Sequence, residues 1–185
     1  LARLIDADPP AGRIARPAPT PPVELRPTML SVTEIETWLR DPYSIYARHI
    51  LRLRPLDGLD TAPGAAERGS AVHEALGDFA QAYPEALPAN AEAALREFGR
   101  RAFEPLEAFP AEHALWWARF ERLIPAFLAW ERVPRGEVAR IVAEAGGRIA
   151  IPGTRGPCQL AGYADRIEIR RDGALAILDY KTGIV

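Results

Sequence analysis

After Pro134 the spacing of apolar residues changes from helical to alternating, and that change narrows the folds open to this chain more than any other feature. Upstream, Ser31-Val32-Thr33-Glu34 reads as a capping box, followed by Ile35, Trp38 and Leu39 at helical spacing. Asp41-Pro42 opens a second helix with Tyr43, Tyr46, Ala47 and Ile50 on one face. A Gly-, Asp- and Pro-rich loop is expected between Leu56 and Gly64. A third helix, over 67–83, turns Ala71, Val72, Ala75, Leu76 and Phe79 inward, and two longer helices are expected around 90–108 and 112–132. Downstream, Val138, Arg140, Val142 and Glu144 alternate with Ala139, Ile141 and Ala143, and Gly146-Gly147 is expected to turn the chain into Arg148-Ile149-Ala150-Ile151. A second hairpin joins 160–170 to 174–180 through Arg171-Asp172-Gly173. Helices followed by antiparallel strands predict an α+β fold.

The first 27 residues are dense in proline (Pro9, Pro10, Pro17, Pro19, Pro21, Pro22, Pro27), a composition that reads as an extended linker. The domain proper is expected over 28–185, helical over 28–133 and strand-rich over 134–185. The sequence opens on Leu1, with no basic region followed by an apolar one, and Val185 comes directly after a strand motif. The expectation is a piece of a longer protein, its core incomplete at the C-terminal end. No apolar run reaches the roughly 20 residues a membrane helix needs. Cys158 is the only cysteine, which excludes a disulfide within the chain and an all-cysteine metal site, and a reducing, cytoplasmic compartment fits.

A net charge of −2 argues against a uniformly basic coat, without excluding DNA as a partner. The kind of cation says more. Of 23 cationic side chains Lys181 is the only lysine. Such a bias looks like pressure toward Arg, under which a Lys persists where a compact, titratable point charge is needed.

That lysine belongs to a second observation. If Arg171-Asp172-Gly173 is a three-residue hairpin loop, Asp165 falls directly opposite Asp179, with Cβ atoms about 5 Å apart. A two-residue loop shifts the partner by one. In the three-residue register Lys181 shares their face, two residues beyond Asp179. Two carboxylates held this close repel, and a divalent cation between them removes the cost. Oxygen ligands favour Mg²⁺, with Mn²⁺ as the alternative, and an ammonium nearby can orient the attacking water. The chemistry implied is phosphodiester hydrolysis. The bland alternative, a solvated strand face, must explain why like charges stand opposite each other.

Gly162-x-x-Asp165 followed by Leu178-Asp179-Tyr180-Lys181-Thr182-Gly183 resembles the PD-(D/E)XK nucleases of the RecB type, and Arg68-Gly69-Ser70-Ala71-Val72-His73 resembles the Gly-x-x-x-His helix of that group. The resemblance implies a restriction-endonuclease-like core, in which antiparallel hairpins form part of a mixed central sheet behind an all-helical segment. It also implies His73, Asp165, Asp179 and the backbone carbonyl of Tyr180 as metal ligands, and Lys181 as the catalytic lysine. Glu144 resembles an acidic residue often seen on the preceding strand, which either supports the ligands from behind or is simply an exposed strand position. His49 and His113 have no such context. The proline-rich start, Leu30-Ser31-Val32-Thr33-Glu34-Ile35-Glu36 and Asp41-Pro42-Tyr43 are most similar to the C-terminal nuclease domain of the AddB family, which implies DNA and an AddA-like helicase-nuclease as partners at double-strand breaks. Many relatives place the first cysteine of an iron-sulfur cluster before such a Pro-Tyr pair. Here Asp41 stands there, so no cluster is expected. The alternatives are a non-catalytic DNA-guiding scaffold of the same fold and a free-standing RecB-family exonuclease.

Overall fold

The computed structural model describes residues 18–56, 62–153 and 156–182. Most of the expected linker, the middle of the loop between Leu56 and Gly64, and Gly183 of the terminal motif lie outside the described residues. Among the described residues there are five α-helices and four strands, a mixed α+β architecture consistent with a restriction-endonuclease-like fold. They divide into two compact units, one ending at Arg54 and the other beginning at Pro55. None of the helices is long and apolar enough to cross a membrane.

The first unit contains a short strand β1 (Met29–Ser31), helix α1 (Val32–Arg40), and helix α2 (Pro42–Ile45), which runs on into a π-helical turn (Tyr46–Ile50). The expected capping box forms. Ser31 Oγ accepts from the Glu34 N–H at 3.1 Å, and the Ser31 N–H donates to Glu34 Oε2 at 2.9 Å, which satisfies two donors that a helix start otherwise leaves unpaired. Glu34 also meets His49 Nε2 at 2.8 Å. Asp41 caps α2, its Oδ1 accepting from the Tyr43 N–H at 3.2 Å, with Pro42 in the first turn where its missing N–H is harmless.

In the second unit, α3 (Ala65–Ala82), α4 (Ala91–Phe103) and α5 (Pro110–Arg135) enclose the main core. The inward face expected of α3 is the one observed. Ala71, Val72, Ala75, Leu76 and Phe79 are all buried, and they pack with Leu95, Phe103, Phe120 and Ile124. Full burial of each large apolar side chain contributes on the order of 1.5–3 kcal/mol, so this cluster is what holds the three helices together. A smaller cluster of Ala80, Val138, Ile141 and Ala143 joins α3 to the sheet.

Three strands of this unit, β2 (Val138–Ile151), β3 (Cys158–Arg170) and β4 (Leu175–Leu178), pair antiparallel with β3 between the other two. The expected turn at Gly146-Gly147 is not there. β2 runs straight through both glycines, which pair with Tyr163 and Gly162, and the chain reverses between Ile151 and Cys158 instead. The pair serves packing rather than chain reversal. A Cβ on Gly146 would come within 3.1 Å of the Tyr163 ring, so the missing side chain leaves room for an aromatic lying across the strand. The second hairpin forms as expected. Gly173 takes a left-handed φ of 86°, its N–H donates to Arg170 O at 3.0 Å, and the Arg170 N–H donates to Ala174 O at 2.9 Å, closing a three-residue loop.

Candidate active site

The loop sets the register of β3 against β4. Arg166 pairs with Leu178 and Ile167 with Ile177, so the same register carried one step further puts Asp165 opposite Asp179. The ladder itself stops at Leu178. Beyond it the chain is held by other means. The Tyr180 N–H donates to Asp165 Oδ2 at 2.6 Å, and an Arg68 guanidinium N–H on α3 donates to Thr182 O at 3.4 Å.

Helix α3 supplies the facing side. Gly69, His73 and Gly77 recur every four residues and so share one face of the helix. A Cβ on Gly69 would stand 3.4 Å from Thr182 Oγ1, and one on Gly77 would stand 3.0 Å from Glu144 Oε1. The two glycines thus let the strand ends close on the helix, and between them His73 Nδ1 lies 3.4 Å from Asp165 Oδ2. The Tyr180 ring meets His73 edge-on, with centroids 6.2 Å apart.

Glu144 lies opposite Asp165 from the other side, since Ala143 pairs with Arg166 and Ala145 with Ala164. Its φ of 50° is left-handed, unusual for a residue with a side chain, and such strain costs on the order of 1–3 kcal/mol. The bend carries the carboxyl against Gly77 of α3. Burial, with Asp165 and Asp78 as negative neighbours, pushes its pKa above the ordinary carboxylate value, while His73 acts the other way. Glu144 on β2 and Asp165 on β3 therefore lie in a row that Asp179, one residue past the end of β4, continues.

Asp179 and Lys181 form an ion pair, both more than half exposed. The hydrogen bond from Lys181 holds Asp179 below its ordinary pKa, and the same bond holds the ammonium above its own. Tyr180, largely buried between them in sequence, has its phenol pushed up by desolvation. An imidazole nitrogen, carboxylate oxygens and a main-chain carbonyl are the donor set of a hard divalent cation, so the residues fit such an ion in chemistry. Among the described residues no three His, Cys, Asp or Glu side chains are grouped closely enough to hold a metal, with Asp179 engaged by Lys181 and Asp165 by Tyr180. His49 lies in the first unit beside Glu34, and His113 stacks on Trp117.

Behind the site lies a set of residues the sequence did not single out. Arg166 is fully buried and donates to Glu131 Oε2 at 2.5 Å, to Glu168 Oε1 at 2.6 Å and to the Tyr180 hydroxyl at 3.3 Å. Arg135 completes the group, its Nε donating to Glu131 Oε1 at 2.7 Å. Sequence held one weak sign of it. Glu131 and Arg135 stand at the i, i+4 spacing of a helical ion pair.

A family profile described as the PD-(D/E)XK nuclease superfamily matches residues 29–184. An uncharacterized protein of Rickettsia bellii (strain RML369-C) is 30% identical over 159 residues, covering 86% of this chain and 19% of that protein. One of Rickettsia conorii (strain ATCC VR-613 / Malish 7) is 29% identical over 163 residues, covering 86% of this chain and 20% of its own length. The chain thus spans about a fifth of these relatives. No solved structure matches it.

Proposed function

Because the chain belongs to the PD-(D/E)XK nuclease superfamily, we propose that it is a metal-dependent DNA nuclease domain that hydrolyses phosphodiester bonds at the site formed by His73, Asp165, Asp179, Tyr180 and Lys181. The observation that carries this reading is the meeting of two separate motifs. The histidine of α3 and the aspartate of β3 come within 3.4 Å, and the Asp179-Tyr180-Lys181 segment is tied to that same aspartate. Residues 92 positions apart in the chain have no reason of local structure to do so.

Asp165, Asp179, His73 and the Tyr180 carbonyl would hold Mg²⁺ or Mn²⁺, which supplies charge neutralisation for the phosphate and acidifies the attacking water. The chain's own groups do the rest. Asp165 is oriented by the Tyr180 N–H, which binds its Oδ2. Lys181, ion-paired with Asp179, would present positive charge to a phosphate oxygen as negative charge builds there. Glu144, on the strand beside Asp165, adds negative charge next to that carboxylate.

The resemblance of the N-terminal motifs to the AddB family supports a finer reading, an exonuclease within an AddB-like subunit that processes double-strand breaks beside an AddA-like helicase-nuclease. The greater length of the relatives agrees with a domain carried in a large parent protein. The test is cleavage of end-labelled duplex DNA by the full-length protein with Mg²⁺. Lys181→Ala and Asp179→Ala should each lose several orders of magnitude, since positioning and charge stabilisation supply most of the acceleration. Undiminished cleavage in either variant would sink the proposal. The competing reading is a non-catalytic DNA-guiding scaffold of the same fold, against which the joint presence of His73, Asp165, Asp179 and Lys181 counts. Calorimetric titration of the full-length protein with Mn²⁺ separates the two, because a scaffold takes up none.

A further inference from the structure

We propose that Arg166 is a positioning residue for this site, fixing the Asp179-Tyr180-Lys181 segment through the hydroxyl of Tyr180; the inference rests on the nuclease reading above. The starting point is a group of charges that stability alone does not explain. Arg166, Glu131 and Glu168 are each at most 2% exposed, and Arg135 joins them through Glu131. Removing such charges from water is expensive, and well-packed apolar residues of similar volume often serve stability as well or better. An apolar set could fill the space between α5 and β3. It could not donate a hydrogen bond to a phenol.

Arg166 does donate one. One of its terminal nitrogens is shared between Glu131 Oε2 at 2.5 Å and the Tyr180 hydroxyl at 3.3 Å, while the other binds Glu168 Oε1 at 2.6 Å. The two carboxylates engage both terminal nitrogens, and the Trp130 ring lies 5.5 Å from the guanidinium carbon, so the planar fork is restrained on two edges and over one face. The donor that reaches Tyr180 is therefore held by contacts independent of Tyr180.

Tyr180 is the residue through which this matters. Its N–H binds Asp165, its ring lies edge-on to His73 on one side and to Phe127 of α5 on the other, and its neighbours in sequence are Asp179 and Lys181. The β3–β4 ladder ends at Leu178, so no strand pairing orients this segment. A tyrosine has two side-chain torsions. With the ring in contact with His73 and Phe127, the hydroxyl bound by Arg166 and the N–H bound by Asp165, the residue is held at both its side-chain and its main-chain end, which restricts the backbone that carries the Tyr180 carbonyl and Asp179. Groups that orient metal ligands in this way typically change metal affinity 10- to 100-fold when lost.

Tyr180→Phe isolates the link, because it keeps the ring and removes only the hydroxyl. Mn²⁺ binding to the full-length protein is read by electron paramagnetic resonance of the free ion, with thermal melting of the metal-free protein alongside. The expected result is affinity weakened roughly tenfold with a melting temperature near that of the wild type. Mn²⁺ affinity equal to wild type in Tyr180→Phe would overturn the positioning role and leave the nuclease reading standing. If the folded wild type binds Mn²⁺ no better than Asp165→Ala, the metal site itself is refuted, and the inference falls with it.

Discussion

At the scale of single residues, the site distinguishes side chains that simpler rules treat as alike. Lys181 is the only lysine among 23 cations, and its pairing with Asp179 uses a compact charge rather than a planar fork. Lys181→Arg should therefore fail to restore activity in the full-length protein, falling within about tenfold of Lys181→Ala in single-turnover cleavage. Arg166 is the reverse case, where the fork is the point. Arg166→Met would strand Glu131 beside Arg135 alone and leave Glu168 without its arginine, in a setting that excludes water. Breaking a buried pair in this way costs about 3–5 kcal/mol, which urea unfolding of the full-length protein would register as a lowered midpoint. A loss under 1 kcal/mol would show that the network contributes little.

At the scale of elements, the helices meet through positions that tolerate no side chain. A Cβ on Gly99 of α4 would stand 2.2 Å from the ring of Phe120 on α5, itself only 2% exposed. Alanine is the better helix former by about 1 kcal/mol, yet overpacking of this kind costs about 1–3 kcal/mol and the overlap is severe. Gly99→Ala should destabilise despite its propensity, by about 2 kcal/mol; a higher melting temperature would mean that α4 and α5 can slide apart. Helix α1 carries a pH-sensitive start. The bond from the Ser31 N–H holds Glu34 below its ordinary pKa of 4.5, burial opposes this, and His49 adds to the lowering. A carboxyl depressed by folding contributes stability above its unfolded pKa and loses that contribution as pH falls through the folded value. The loss should set in below pH 4.5, and Glu34→Gln should flatten that acid limb in melts followed by circular dichroism.

At the scale of the whole molecule, the proposed site sets like charges together where strands and helix converge. Glu144, Asp165 and Asp179 lie in one row, and burial with a negative neighbour already disfavours ionisation of the first. A divalent cation bound there would relieve this and stabilise the folded chain by mass action, by about 2.7 kcal/mol at a hundredfold excess over the dissociation constant. Calorimetric melting of the full-length protein should therefore rise on going from EDTA to Mn²⁺, and Asp179→Ala should abolish the rise. An increase that survives in Asp179→Ala would point to metal held elsewhere.

The sequence by itself determined the succession of helices followed by antiparallel strands and the identity of the motif residues, because both are written in local chemistry. A capping box, a 3.6-residue spacing and an Asp-Gly turn act within a few residues of one another, so Ser31, the inner face of α3 and the loop at Arg171-Asp172-Gly173 were legible without any fold. From that loop followed the register that aligns Asp165 with Asp179. Gly146-Gly147 misled for the same reason that the other signals succeeded. Glycine pairs suit a turn, and only the ring of Tyr163 across the sheet gives them a different use. The burial of β3 was decided by tertiary structure alone. Its alternation of Asp165, Ile167 and Ile169 with Arg166, Glu168 and Arg170 would by pattern turn the isoleucines inward, yet Arg166 and Glu168 are buried while Ile167 and Ile169 are only partly so. The inversion depends on Glu131 and Arg135, which reach the strand from a helix more than thirty residues away. Hydrophobic period records what a side chain prefers in isolation. A charge goes inside only where the fold has already brought its counter-charge, and no local pattern encodes that meeting.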